Sequence, residues 1–397
     1  MTNKEIQNAY IGDTQVDKIY LGTDVVWGGS EPEPIYSAMP LTFNIISAGT
    51  ILWRAQNTAY TTTIEYSLDS GETWTSITSN TGDSAPSISV NAGYVVQFRG
   101  DNATYATGTS RYNCFCGSTA IFEAKGNIMS LISSTGFETA TTLTDRYTFL
   151  NLFRSCAGLT SAENLVLPAT TLADNCYDYM FFGCTSLTQT PALPATRLAN
   201  YCYRHMFNGC RSLVTAPELP AITLTQSCYS NMFNGCTSLT QAPALPVITL
   251  ADFCYSSMFN NCTSLTSAPE LLASTLKESC YQYMFGGCTS LSIAPELPAT
   301  TLTKLCYSNM FNGCTSLTSA PELPATTLAD NCYFNMFRNC TSLNYIKALI
   351  TSPVSSNLKG WVIGVASSGT FVKHPDATWP TGENGIPEGW TVEDADI

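Results

Sequence analysis

The sequence has little charge: Asp, Glu, Lys and Arg together make up 12% of its 397 residues, about half the usual share. Histidine is scarcer still, with only His205 and His374 present, so a metal site has almost no imidazole to draw on. Basic residues are in deficit, 17 Lys and Arg against 30 Asp and Glu for a net charge of −13. Without a basic footprint, neither nucleic acid nor an anionic membrane is an expected partner. Long apolar runs are missing too. The longest resemble Tyr179-Met180-Phe181-Phe182, far short of the roughly 18 residues a membrane span needs, and no membrane insertion is expected. The stretch Met1 to Asn8 has no apolar core of about 7–15 residues and no small-residue cleavage site, which excludes a secretory signal there. The expectation is a chain that folds in a reducing cytoplasm.

What is present is a hydrophobic fraction of 44% and 17 cysteines. The length suggests two to four domains, and internal repetition organises most of it. Cys184, Cys210, Cys236, Cys262, Cys288, Cys314 and Cys340 are 26 residues apart; Cys176, Cys202, Cys228, Cys254, Cys280, Cys306 and Cys332 keep the same period. Cys156 precedes the first series by 28, because the segment Glu163 to Pro168 is two residues longer than its later equivalents. Leu187 to Leu343, Leu198 to Leu328, Tyr203 to Tyr333 and the Met-Phe pairs from Met180-Phe181 to Met336-Phe337 are further fixed columns. Columns of this kind stack on themselves in a solenoid and bury one continuous core.

Within a unit, Cys-Tyr-x-x-Met-Phe places like residues four apart, which predicts one or two helical turns. Asp174, Asn200, Asp252 and Asp330 precede the segment as N-caps, and Asn208-Gly209, Asn234-Gly235 and Asn312-Gly313 follow it as a left-handed stop. The other half of the unit is rich in Pro and Thr and is expected to be extended. Pro217, Pro220, Pro295 and Pro298 cannot donate ladder hydrogen bonds, so any strand there is short or irregular.

Three roles are open to the cysteine ladder: metal ligands, inter-turn disulfides and buried free thiols. Cys202 and Cys210 are eight apart, too far for the close pairs of metal sites, and a reducing compartment disfavours disulfides. Small buried hydrophobes are the expectation, and no metal or cofactor is called for. Cys114 and Cys116 are expected to be two further buried thiols on one strand face.

The phrase C-T-S-L-T-S with L-P and M-F-N-G-C resembles the BspA-like class of leucine-rich repeats, whose usual unit is C-x-x-L-x-x-I-x-[IL]-P followed by A-F-x-x-C. The resemblance covers about residues 140 to 345, and this chain departs from it by a longer unit and by Pro in the strand. It implies a binding or adhesive solenoid rather than an enzyme.

The fold expected is α+β with a solenoid: a small antiparallel β-sandwich followed by a leucine-rich-repeat solenoid of 26-residue turns. Residues 1–28 hold the half-repeat Ala9-Tyr10-Ile11-Gly12-Asp13 and Ile19-Tyr20-Leu21-Gly22-Thr23. They look like the short N-terminal module of tail and other virion proteins of tailed bacteriophages, with an ordinary hairpin as the alternative. Residues 29–34 form a linker. From 35 to 128 the pattern alternates, as in Leu41 to Ile45, Thr62 to Tyr66 and Tyr94 to Phe98, which suggests the sandwich. In it, Ser67-Leu68-Asp69-Ser70-Gly71-Glu72-Thr73-Trp74 resembles an Asp-box; one copy builds no propeller, so a turn shaped by Asp69 and Gly71 over Trp74 is expected. The solenoid runs 129–345. Residues 346–397, with Trp361, Trp379 and Trp390, are expected to cap one end, and the degenerate turn from Thr142 to Tyr147 the other.

Repetition offers no unique catalytic constellation: no evident Ser-His-Asp arrangement, no phosphate-cradling glycine loop, and carboxylates in a column rather than a converging pair. Glu218, Glu270, Glu296 and Glu322 share one register and would form an acidic strip, either a solvated face or a ligand site. Two functions follow. One is a phage virion protein, assembled in the host cytoplasm, held to other virion proteins by residues 1–28 and attaching to a host-surface glycan or protein. The other is a BspA-like bacterial cell-surface adhesin, with a purely structural virion decoration or cytoplasmic scaffold as further alternatives. A homo-oligomer stays open: resemblance to phage fibres would suggest a trimer, but no heptad argues for one.

Overall fold

The computed structural model describes residues 36–397 and the backbone of four short strands nearer the N-terminus. Strands β1 (Ala9–Ile11) and β2 (Thr14–Val16) pair antiparallel, as do β3 (Lys18–Leu21) and β4 (Asp24–Gly28). Each half of the N-terminal half-repeat is thus a hairpin. The linker expected at 29–34 lies outside the described residues.

The three alternating segments form strands. Leu41–Ser47 is β5, followed by β6 (Gly49–Leu52), β7 (Arg54–Ala55), β8 (Thr63–Ser67), β9 (Thr75–Thr78), β10 (Ser87–Val90), β11 (Val95–Arg99), β12 (Ala106–Gly108), β13 (Arg111–Cys114) and β14 (Ile121–Asn127). The main sheet runs β14-β5-β11-β8-β9 with antiparallel pairing, beside a β10-β6 pair and a β12-β13-β7 sheet. Alternation sets the faces: Val96 and Phe98 are fully buried, while Val95 at the start of β11 is exposed. Phe43 centres the core, with ring centroids 4.7 Å from Phe98, 4.9 Å from Phe115 and 4.4 Å from Phe122.

Cys114 and Cys116 are bonded to each other, not two thiols on one strand face. Strand β13 ends at Cys114, and Cys116 and Gly117 form a turn. The bend returns the second sulfur to the first across a Cα separation of 5.2 Å, a spacing a disulfide spans.

Strands β15 (Leu159–Ser161) and β16 (Leu165–Val166) lie where the first cysteine interval is two residues longer, and both pair parallel with β14. The extra residues make the repeat an extension of the main sheet. One hydrophobic cluster therefore runs without a break from Leu41 to Trp390.

The repeat contains no helix. Among the described residues the only helical elements are four short 3₁₀ turns, all before Ala140, so the structure is mostly β and the α component expected of the fold is absent. In the Cys-Tyr-x-x-Met-Phe segment every fourth residue is left-handed, as at Asn175, Tyr179 and Gly183 with φ of 59°, 57° and 70°. A helix cannot pass through such residues. The donors alternate instead. Tyr177, Tyr179, Phe181 and Gly183 give their N–H to the carbonyls of Cys202, Arg204, Met206 and Asn208 in the next coil, at 3.1, 2.9, 2.9 and 2.8 Å. Cys176, Asp178, Met180 and Phe182 donate three residues back within their own coil, at 3.1–3.3 Å. The segment is a ribbon of four-residue turns with every N–H satisfied, and a period of four turns the same side chains inward that a helix would.

The residues expected as N-caps act across the stack. Asp174 Oδ1 accepts from the N–H of Asn200, Asn200 Oδ1 from Gln226, and Asp252 Oδ1 from Glu278, each at 3.1 Å and 26 residues on. Gly209, Gly235 and Gly313 are left-handed as expected, but each is one of three such positions per coil, not a stop. The proline half is extended, with single parallel bridges such as Thr215↔Gln241 and Gln241↔Ser267 instead of strands, because proline interrupts the ladder.

Side chains follow the 26-residue period. Tyr177, Tyr203, Tyr229, Tyr255, Tyr281, Tyr307 and Tyr333 stack ring on ring at 5.7–6.0 Å and within 8° of parallel. The Phe181 to Phe337 column does the same at 5.4–5.9 Å. At the N-terminal end, Phe149 and Phe153 of the degenerate turn continue the columns, and Tyr105 and Phe115 of the sheet region lie over them. At the other end Trp361 meets Tyr333, Phe337 and Trp379 and donates its indole N–H to Gly385. There β17 (Tyr345–Ala348), β18 (Thr370–Lys373) and β19 (Thr391–Asp394) form a parallel sheet.

Candidate functional site: the proline-glutamate face

In each coil the Pro-x-Leu-Pro-Ala segment alternates like a strand. Leu219 and Ala221 point inward, and so do Leu271 with Ala273 and Leu297 with Ala299. The residues between them, among them Glu218 with Pro220 and Glu296 with Pro298, stand outward and exposed. Prolines on successive coils leave shallow grooves between them. One of about 390 Å³ has Glu163 and Glu218 on its walls with Pro194, Pro217 and Pro220. Another of about 490 Å³ is lined by Glu270, Leu272, Glu296 and Pro298, and a third of about 310 Å³ by Glu296, Pro298, Glu322 and Pro324.

The structure thus brings Glu270, Glu296 and Glu322 onto the walls of two adjoining grooves. Glu218 stands apart from them, since Ala244 takes the same place in the coil between. Lys347 closes the far end of the row, its ammonium 2.9 Å from Glu322. These grooves offer carboxylates as acceptors and apolar proline surfaces, which suits an extended ligand lying across several coils.

The interior holds the cysteines. All 15 ladder cysteines are free and buried. From Cys210 on, the later member of each unit donates its thiol to a phenylalanine carbonyl 29 residues earlier: Cys210 to Phe181 at 3.2 Å, Cys236 to Phe207 and Cys288 to Phe259 at 3.1 Å. Burial pushes the Cys184, Cys236 and Cys288 thiols up to about 12, which leaves no nucleophilic thiolate at neutral pH. Among the described residues, no group of three or more His, Cys, Asp or Glu side chains is placed to hold a metal.

The Asp-box is a structural turn. Asp69 accepts from the Ser67 hydroxyl at 2.6 Å and from the N–H and hydroxyl of Thr73 at 2.9 and 2.5 Å. Those bonds hold its carboxyl down at about 2. Trp74 donates its indole N–H to Gly71, and the Arg99 guanidinium covers its ring at 4.1 Å.

A second surface, on the turn ribbon, went unread in the sequence. Asp178, fully buried, accepts from Arg204 Nη2 at 2.7 Å and from Nε at 3.2 Å, and from Asn175 at 3.2 Å. The Tyr179 ring stacks on His205 at 4.2 Å, and Arg154 lies 4.2 Å from the Phe182 ring. Tyr179 and His205 are both left-handed, with φ of 57° and 55°, where a ring-bearing residue costs roughly 1–2 kcal/mol relative to glycine. The signal available was a departure from column habit: the equivalent place holds Asn231, Asn309 and Asn335 elsewhere.

A family model described as the BspA type leucine rich repeat region matches residues 150–291 and 252–356, with 6 copies. Together these cover more than half of the chain, and the chain belongs to this family. In a comparison with curated proteins, none matches it.

Proposed function

We propose that the chain is a non-catalytic recognition protein whose coils form a solenoid, capped by a small β-sandwich at 35–128, that attaches to a host-surface glycan or protein. One observation carries the reading: the outward face carries proline-edged grooves on successive coils, three of them with two glutamates on their walls. Similar grooves in series give an extended ligand repeated contacts, and they bring no nucleophile, base and oxyanion donor together at one point. The carrier is a phage virion, with residues 1–28 joining other virion proteins. What supports that step is the tandem hairpin motif of those residues and its likeness to virion modules.

A second reading, a bacterial cell-surface adhesin, is favoured by the BspA-type family match. Mass spectrometry of purified virions separates the two, since the first expects the polypeptide in the particles. Absence from virions together with labelling of intact bacteria by an antibody would replace it with the second. Binding of the full chain to host cells tests the recognition role shared by both, and failure to bind any candidate host defeats that role.

A further inference from the structure

We propose that the turn-ribbon surface of the first coils is a binding site for a carboxylated saccharide, read by Arg154 and Arg204 around the Tyr179 ring. The inference rests on the recognition role above and supplies a ligand class and a place for it. Three independent features converge there.

The first is charge. Between Arg146 and Arg211 the sequence has five arginines and three carboxylates, in a chain whose net charge is −13. Arg146 and Arg204 are paired with Asp174 and Asp178, while Arg154 has no carboxylate partner among the described residues, the opposite of the acidic grooves and suited to an anion.

The second is geometry. Both guanidinium carbons lie within 6 Å of the Tyr179 ring, Arg154 at 5.3 Å and Arg204 at 5.8 Å. Asp178, buried beneath, grips Arg204 through Nε and Nη2 and leaves Nη1 with no partner among the described residues. Arg154 gives only Nη1 to Asn151, at 3.2 Å, so its Nε and Nη2 are also unengaged. The Nε–Nη2 edge of Arg154 is a planar donor pair that matches a carboxylate, and Arg204 adds the donors of Nη1 alone. Arg204 lies over the Tyr201 ring at 4.7 Å and Arg154 over the Phe182 ring at 4.2 Å, so aromatic rings hold both guanidinium planes in place for a ligand with several carboxylates at sugar spacing.

The third is cost accepted against the pattern of the repeat. Asn231, Ser257, Tyr283, Asn309 and Asn335 occupy the left-handed place of Tyr179 and His205, Ser230, Ser256 and Ser308 that of Arg204, and Asn208, Asn234 and Asn312 that of Phe182; Tyr283 has Gln282 and Gly286 at those two places and no arginine beside it. Asn tolerates a positive φ better than a ring-bearing residue does. Folding this coil does not require aromatic and cationic side chains at these places, and strained residues retained without a folding reason point to use. Nδ1 of His205 is buried 3.8 Å from Asp178 Oδ1 without a hydrogen bond, so the His205 ring supports Tyr179 from below.

The test uses the full chain and tetragalacturonate, followed by titration calorimetry, with hexaglutamate and neutral lactose as controls. Saturable binding of tetragalacturonate is expected, weakening with added salt, with no binding of lactose and at least tenfold weaker binding of hexaglutamate. Arg154→Gln, Tyr179→Asn and His205→Asn are each expected to weaken binding at least tenfold. The last two install what other coils carry, so their melting temperatures should hold or rise. Absence of tetragalacturonate binding, equal binding of hexaglutamate, or variants within twofold of wild type would overturn the site. A drop in melting temperature for Tyr179→Asn would also overturn it, by making the ring structural. Host-cell binding that survives all three substitutions sinks this site and leaves the recognition role standing. Tetragalacturonate binding that needs these residues, in a chain that binds no host cell, has the reverse meaning.

Discussion

The thiol of Cys236 donates to the carbonyl oxygen of Phe207 at 3.1 Å, across the boundary between one coil and the one before it. That carbonyl already accepts the N–H of Cys210 at 3.0 Å, so the thiol occupies its second lone pair. Cysteine is small enough for the crowded ribbon, apolar enough to bury and still a weak donor, a combination that Ala and Ser each lack in part. Cys236→Ala is expected to cost about 1–2 kcal/mol through the lost bond and a small cavity, as measured by urea denaturation.

Thiol counting checks the same ladder. With no reductant present, the folded protein should show no thiols reactive with an aromatic disulfide reagent on a minute timescale. Denaturation should reveal 15, and denaturation after reduction all 17. Rapid labelling of several cysteines in the native state would contradict their burial.

The tyrosine column couples each coil to the next. Tyr255 sits between Tyr229 and Tyr281 with 6.0 Å to each ring, and its truncation to Ala removes two stacking contacts and opens a cavity. The expected loss is about 3–5 kcal/mol. Because stability in a stacked repeat is a sum over neighbouring interfaces, calorimetry of Tyr255→Ala should show the single unfolding transition broadened or split into two.

Tyr283 is left-handed at φ 55° and 37% exposed, in a column where asparagine is common. Tyr283→Asn should stabilise the protein by about 0.5–1 kcal/mol, which corresponds to the eased backbone strain. A lower melting temperature would show that the ring packs usefully on its neighbours.

The family, the period, the inward columns and the strands of the first domain were legible because each rests on which side chains face in. The hydrogen bonding of the ribbon was not. A spacing of four fits both a helix and a chain of four-residue turns, and Cys-Met and Tyr-Phe pairs meet in either. What separates them is the residue at each left-handed place: Asn175, Gly183, Gly209 and Asn231 are good αL formers, but Tyr179, His205 and Leu305 hide the rule. Asp174 and Asp252 stand where N-caps would, and the same short carboxylate instead serves a donor one coil away. The acidic face was visible as a column of Glu residues, but Ala244 in the same column separates Glu218 from Glu270. The arginine and aromatic surface lies in exceptions to the repeat, at Arg154, Tyr179, Phe182, Arg204 and His205, and the repeat pattern carries no signal for it.

Asp69 gives a pH dependence with a defined sign. Its carboxyl is held at about 2 by Ser67 and Thr73, below the ordinary value near ~4. The contribution of this turn is therefore present above roughly pH 4 and is lost as pH falls through about 2. Asp69→Asn should remove that component of the acid transition, seen by following the fluorescence of Trp74, while leaving the transition of the repeat in place.

The backbone cross-coil bonds of the ribbon run one way, from the N–H of one coil to the carbonyl of the following one, and between Cys176 and Cys340 the 26-residue register places the same atoms opposite each other at each boundary. A crossover between any two units, wherever it falls within them, therefore deletes or adds a whole coil and rejoins surfaces that already fit. Such an event requires no compensating substitution in the core. The far end of the molecule moves by roughly the 6.0 Å between one tyrosine ring and the next, and one groove is gained or lost. Reach and the number of grooves are thus inherited together as a copy number, able to change in a single generation by steps that leave the fold intact.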